Sequence, residues 1–227
     1  MREPGRRPLS PDDWARAALA AIARGGVGAV AVETVAAELG ATKGSFYWHF
    51  KNRDALIQAA LDRWEHGRTD AVIEELEREP DPATRLNKLL AAAFERGPAD
   101  RAEIALLANP DHPAALRAVR RVAERRIAYI SQQLRALGWD PGAALDRALL
   151  MYYVYAGYLQ MTCVAPHVIS SDARRRHVEL VFDALVAGEL AASGGTSPPG
   201  SHMVLRSSGS RRVTRPAEPF QQRMPKS

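Results

Sequence analysis

One cysteine, Cys163, stands alone in the 227 residues. A single thiol cannot form an intrachain disulfide, so a disulfide-stapled scaffold is excluded, and any multi-cysteine metal site with it. The apolar stretch around Cys163 suggests a buried thiol. No apolar run is long enough to span a bilayer. The opening Met1–Pro8 carries arginines but leads into no apolar signal core, so a cytoplasmic protein without membrane contact is expected. Alternating apolar and polar residues, the mark of a strand, are missing over any useful length, and no internal repeat is present. Also missing are a G-x-S-x-G nucleophile turn, metal spacing among the six histidines and paired carboxylates on a recognisable catalytic turn. These gaps argue against an enzyme and against a cofactor or metal. Gly26-Val27-Gly28-Ala29-Val30-Ala31 fits the G-x-G-x-x-A dinucleotide pattern, but that pattern needs a preceding strand. A helix precedes it here, so the segment reads as an interhelical loop.

Positive charge is present, and it is unevenly placed. The chain has a net charge of +5. Residues 1–53 hold eight Lys or Arg against five Asp or Glu, and residues 194–227 hold six against one, while the stretch between is slightly acidic. Basic ends point to a polyanionic partner such as nucleic acid. Arg-rich tails that merely aid solubility fit the same composition.

Helix signals follow one another along the chain. Residues 1–9 form a basic arm without periodicity. Ser10-Pro11-Asp12-Asp13 is a helix start, with serine as cap, proline in the first turn and acids behind it. Trp14, Ala17, Ala18, Ala21 and Ile22 then recur on one face, and Gly25-Gly26 ends that helix. A second helix carries Val35, Ala36 and Leu39 up to Gly40. A third runs from Thr42 through His49-Phe50, and Asn52 caps a fourth that reaches about Glu79. Beyond Pro80-Asp81-Pro82 come helices marked by Leu86–Phe94, Ala102–Leu107, Leu116–Leu137, Ala144–Cys163 and Ala173–Leu190. Residues 193–227, rich in Gly, Ser, Pro and Arg, read as a disordered basic tail. The expected fold is therefore all-α with about nine helices. It divides into a helix-turn-helix domain over 10–53 and a helical bundle over 54–192.

The informative stretch is Val32–Arg53. Two short helices flank the turn Leu39-Gly40-Ala41-Thr42, which is the helix-turn-helix arrangement. Thr42 can cap the second helix, whose Phe46 and Phe50 face the core. A step of 100° per residue puts Gly44 and Trp48 opposite them, with Ser45 and Tyr47 on the flanks. Gly44 would let the helix approach a groove wall closely. Ser45, Tyr47 and His49 offer hydrogen bonds, and Lys43, Lys51 and Arg53 supply cations at the two ends. Exposed aromatics of this kind suggest a partner, although a generic amphipathic pair of helices has the same pattern.

The run Thr42–Leu56, TKGSFYWHFKNRDAL, resembles the signature of the tetracycline-repressor (TetR) family of regulators. The preceding Trp14–Arg24 helix, Val35-Ala36 and Leu39-Gly40 are similar as well. The likeness covers roughly residues 10–65, and beyond it only the succession of helices is similar. It implies a homodimer that binds a palindromic double-stranded DNA operator, with an effector pocket for an unknown small molecule in each C-terminal domain. It places DNA contacts on Thr42, Lys43, Gly44, Ser45, Tyr47, Trp48, His49, Lys51 and Arg53. A ligand-released repressor is the expected function; an activator or a regulator without ligand is the alternative, and an enzyme on a helical fold a more distant one. The family's hydroxyl cap before the turn is replaced here by Val30-Ala31-Val32-Glu33, and Arg2, Arg6 and Arg7 could supply the lost phosphate contact.

Four further groups belong to the expectation. Trp64, Phe94 and Tyr129 are candidates for the effector lining. Tyr152, Tyr155, Val178, Val181, Phe182 and Leu185 are candidates for the dimer interface, built as a four-helix bundle. The basic run Arg117, Arg120, Arg121, Arg125 and Arg126 reads as a solvated face, and Asp111-His112-Pro113 as a helix cap.

Overall fold

The computed structural model describes residues 8–96, 101–108 and 112–188. Arg2, Arg6 and Arg7 of the basic arm, Asp111, and the 193–227 tail lie outside the described residues. Helix α1 (Pro11–Gly25) starts on a reciprocal cap: Asp13 N–H donates to Ser10 Oγ at 3.3 Å, and Ser10 N–H donates to Asp13 Oδ2 at 2.9 Å. Two orphan donors are satisfied at once. The helix ends where Gly26 turns to φ 71°, a left-handed value that costs glycine least. A single 3-10 turn, Val27–Ala29, leads into α2 (Val32–Glu38). Gly26–Ala31 is thus the loop expected from the helix before it.

Helix α2 begins at Ala31 without a side-chain cap, as its sequence requires. Gly40, at φ 59°, reverses the chain, and Ala41 N–H donates to Ala36 O at 2.8 Å to close the turn. Helix α3 (Lys43–Tyr47) is capped by Thr42, whose Oγ1 accepts from Ser45 N–H at 3.1 Å. It is shorter than the expected run through Phe50. The amides of His49 and Phe50 both donate to Phe46 O at 2.9 Å, which tightens the last turn and swings Phe50 inward. Phe50 then stacks on Phe46 with ring centroids 5.8 Å apart.

Asn52 Oδ1 accepts from Ala55 N–H at 2.9 Å and caps α4 (Arg53–Glu65). A π-helical turn, His66–Asp70, joins it to α5 (Ala71–Leu76). The single helix expected up to Glu79 therefore carries an inserted residue, in a segment weakened by Gly67. The rest comprises α6 (Pro82–Arg96), α7 (Arg101–Leu107), α8 (Pro113–Ala136), α9 (Pro141–Val164) and α10 (Ser171–Phe182), which ends in a second π turn, Asp183–Ala187. With α4 and α5 counted as one, the described residues form nine helices and no strand. His112 caps α8, its Nδ1 accepting from Ala115 N–H at 3.4 Å. Among the described residues no helix is long and apolar enough to cross a membrane.

Two large apolar clusters, and a small third one of Ile73, Leu76 and Tyr129, organise these helices. The first gathers Trp14, Ile22, Val35, Phe46 and Leu56, and continues through Trp64 to Leu106 on α7 and Val122 on α8. The core under the N-terminal helices thus extends past residue 53. The second joins Leu86, Phe94, Leu134, Met151 and Tyr158. Cys163 corrects the sequence expectation. It is exposed, close to the C-terminal end of α9.

Candidate nucleic-acid interface and ligand cavity

The short α3 is held by its buried side and presents the other. Phe46 has no exposed surface and meets Trp14 edge-on, ring centroids 5.6 Å apart. On the outer side Trp48 is 89% exposed and Tyr47 57%. Large aromatics are rarely left so open without a partner. Thr42, Lys43 and Gly44 are exposed beside them, while Ser45 and His49 are half-buried, the His49 ring lying 6.5 Å from Trp14. A Cβ built on Gly44 would meet only Thr42 Oγ1, at 3.7 Å. The glycine therefore leaves the surface low rather than relieving a clash inside the protein.

The three expected cations part company. Lys43 Nζ donates to Glu33 Oε1 at 2.6 Å across the α2–α3 turn. That hydrogen bond holds the Glu33 carboxyl below its usual range and the Lys43 ammonium above its own. Both groups are exposed, so a phosphate can compete for the lysine. Lys51 is exposed with no ion-pair partner among the described residues. Arg53, expected as a phosphate contact, is engaged within the protein. Its Nε donates to Val30 O at 2.5 Å and its Nη2 to Val27 O at 2.8 Å. The guanidinium closes the loop between α1 and α2, giving the Val30 carbonyl a donor and adding a second one to Val27 O, which also accepts from Val30 N–H at 3.2 Å. Arg53→Ala should therefore lower stability by about 1.5–3 kcal/mol. Urea denaturation measures this directly, and the salt dependence of DNA binding should change less than for Lys51→Ala.

A cavity opens between α5, α6, α8 and α9. Val72, Leu89, Leu90, Ile130 and Met151 form apolar walls, and Arg68, Arg126, Tyr152 and Tyr155 a polar edge. Behind that edge lies a buried ion pair. Arg126 Nη1 donates to Glu103 Oε1 at 2.7 Å and Nη2 to Oε2 at 3.1 Å, with the side chains 14% and 3% exposed. Tyr155 Oη donates to the same Oε2 at 3.1 Å. Burial works against the charge on Arg126, but Glu103 more than compensates and holds it above the ordinary guanidinium range. Burial likewise pushes the Tyr152 phenol up.

This cavity redirects several expectations. Trp64 is not in its lining but in the first apolar cluster, 1% exposed. Phe94 stacks on Tyr158, centroids 4.6 Å apart, in the second. Tyr129 packs with Ile73 and Leu76, and burial near Glu77 pushes its phenol up to about 12. Tyr152 and Tyr155, expected at a dimer interface, line the cavity. Val178, Val181, Phe182 and Leu185 pack inward on the second cluster, leaving Leu180 64% exposed on the other side of α10. The basic run on α8 is not one solvated face. Arg121 pairs with Glu65, Nη2 to Oε2 at 2.6 Å, and Arg126 is interior. What could have signalled this is the step of four from Val122 to Arg126, which puts the arginine on the helix's buried stripe.

Residues 15–60, which span α1 to α4, match the family described as bacterial regulatory proteins, tetR family. The N-terminal domain is a TetR-family domain. No curated protein matches the chain, but solved structures do. A transcriptional regulator from Rhodococcus sp. RHA1 is 21% identical, with TM-score 0.67, over 79% of this chain and 97% of that one. A TetR transcriptional regulator from Legionella pneumophila is 15% identical, with TM-score 0.65, over 82% and 100%. FadR from Bacillus subtilis, solved in complex with stearoyl-CoA, is 13% identical, with TM-score 0.61, over 79% and 100%. The likeness of fold to these regulators thus extends through the helical bundle.

Proposed function

We propose that the chain is a homodimeric, cytoplasmic repressor, released from a palindromic operator by a small molecule bound in the α5–α9 cavity. The observation that carries the DNA-binding part is the exposed Tyr47–Trp48 side of α3, fixed from behind by Phe46 and Trp14. Thr42, Lys43, Gly44, Ser45 and His49 accompany these aromatics, and Lys51 sits where a long cation reaches phosphate. Two such faces, one per protomer, enter successive major grooves about one helical turn apart. The domain limits follow: 10–53 reads DNA, and 54–192 binds ligand and pairs the protomers.

Support for a ligand comes from the cavity and from the core shared between the two parts. Glu103 stands on α7, whose Ala102 and Leu106 belong to the same apolar cluster as α1. A ligand that shifts α7 can therefore act on the angle of α3. It must bind the released conformation more tightly than the DNA-bound one, or nothing switches. The proposed partner surface is the outward side of α9 and α10, where Tyr153 is 60% and Leu180 64% exposed. A second copy of this chain is the occupant, since a palindrome requires two equivalent heads.

Gel shifts on the DNA upstream of the chain's own gene test the function, with light scattering for the oligomer. Wild type should shift that DNA as a dimer and prefer it to random sequence. Leu180→Glu should run as a monomer and lose operator affinity by about a hundredfold or more, because one head makes half the contacts. A monomer with wild-type affinity would reject the two-headed reading.

A further inference from the structure

The chemical character of the cavity is more specific than a generic apolar pocket. Along its polar edge stand two guanidiniums and two phenols, and no carboxylate is among the described lining residues. The compensating anion, Glu103, is 2% exposed and lies behind Arg126 and Tyr155. A molecule entering the cavity meets cations and hydrogen-bond donors on one side and hydrocarbon on the others. The π turn His66–Asp70 contributes to this arrangement. Its inserted residue re-aims the helix, so that Arg68 lines the cavity while its carbonyl accepts from Arg126 Nη2 at 3.3 Å. Thr69 Oγ1, 1% exposed as a residue, accepts from Arg126 Nε at 3.2 Å. Turns of this kind occur often at functional sites.

We infer that the cavity takes an amphipathic carboxylate, an anionic head on an apolar tail, with the head seated on Arg126 in place of Glu103. This deepens the ligand-release reading above and rests on it for its consequence at the DNA. A buried guanidinium needs an anion, and a ligand carboxylate can take over the two-pronged pairing that Glu103 provides. The bonds from Arg126 to Thr69 and to the Arg68 carbonyl hold the guanidinium still while its partner changes. An alcohol brings no charge to replace Glu103, and a quaternary ammonium would meet the two arginines. Displacing Glu103 also loosens the tie between α7 and α8, and because a stranded buried carboxylate is costly, α7 must shift so that Glu103 reaches solvent. The cavity is thereby connected to the cluster that supports α1.

The test uses the full chain with three ten-carbon probes below their micelle concentrations: decanoate, 1-decanol and decyltrimethylammonium. Calorimetry should show one decanoate per chain, bound about 10- to 100-fold more tightly than decanol, and no binding of the ammonium. Glu103→Gln removes the competing carboxylate and should tighten decanoate about tenfold while leaving decanol unchanged. A variant damaged in folding would weaken both probes, so selective tightening cannot come from damage. Equal affinity for decanoate and decanol, non-saturable uptake, or a Glu103→Gln effect common to both would overturn the inference. Anisotropy of labelled upstream DNA separates it from the broader reading. Selective decanoate binding without DNA release would uphold the carboxylate site and reject ligand release. DNA release by decanol but not decanoate would do the reverse.

Discussion

Phe46→Ala should cost about 3–5 kcal/mol of stability, whereas Tyr47→Ala, one residue along, should cost about 1 kcal/mol or less and abolish operator preference. The contrast follows from where the two rings lie. Phe46 is fully buried between Trp14 and Phe50, so its removal leaves a cavity that α3, only five residues long, cannot close. Tyr47 is 57% exposed and touches Phe46 only edge-on, centroids 5.1 Å apart. Urea denaturation gives the first quantity, and anisotropy on operator and random DNA the second. Similar destabilisation by both variants would mean that α3 is rotated from the orientation described here.

Arg126→Ala should be the most damaging change in the basic run of α8, at about 3–5 kcal/mol. It strands Glu103, 2% exposed, without its cation and removes the bonds to Thr69 and the Arg68 carbonyl. Arg121→Ala is the control. Its pair with Glu65 is well formed, but the arginine side chain is 44% exposed, and screened pairs of that kind contribute about 1 kcal/mol or less. The two midpoints in urea should therefore be far apart. Equal shifts would show that the interior pair carries no special weight.

The residues that make the N-terminal helices were legible because their signals are local. Ser10 to Asp13, Thr42 and Asn52 are caps that work within three residues, and Gly26 and Gly40 stand where the backbone turns left-handed. Phe46 and Phe50 declared the buried side of α3 by spacing alone. The placements that the sequence did not show share a cause, which is that burial of a charged or aromatic group depends on what another helix brings to it. Arg53 resembles a cation at the end of an interface helix, and only the folded loop shows its two carbonyl partners. Arg126 sits among four other arginines in the sequence, and only the arrival of α7 with Glu103 makes it interior. Tyr152 and Tyr155 lie on a helix apolar on every side, so periodicity could not choose between a partner protomer and a cavity. The π turn at His66–Asp70 had Gly67 as its one local sign. Trp64 is a large aromatic near the expected pocket, but the first cluster reaches far enough along α4 to enclose it.

The central claim is that the outward side of α3 reads sequence while the cations around it position the protein on phosphate. The most direct measurement is the salt dependence of binding to operator and to random DNA, for wild type, Lys51→Ala and Trp48→Ala, at three or more salt concentrations. Each dimer presents two copies of Lys51, so losing it should release about two fewer counterions and flatten the slope of log affinity against log salt by about 1.8. Affinity for the two DNAs should fall nearly in parallel. Trp48→Ala, at a side chain 89% exposed and uncharged, should leave the slope close to wild type and remove most of the preference for operator. If Lys51→Ala erased the preference while Trp48→Ala altered only the slope, the assignment of reading and positioning along α3 would be contradicted.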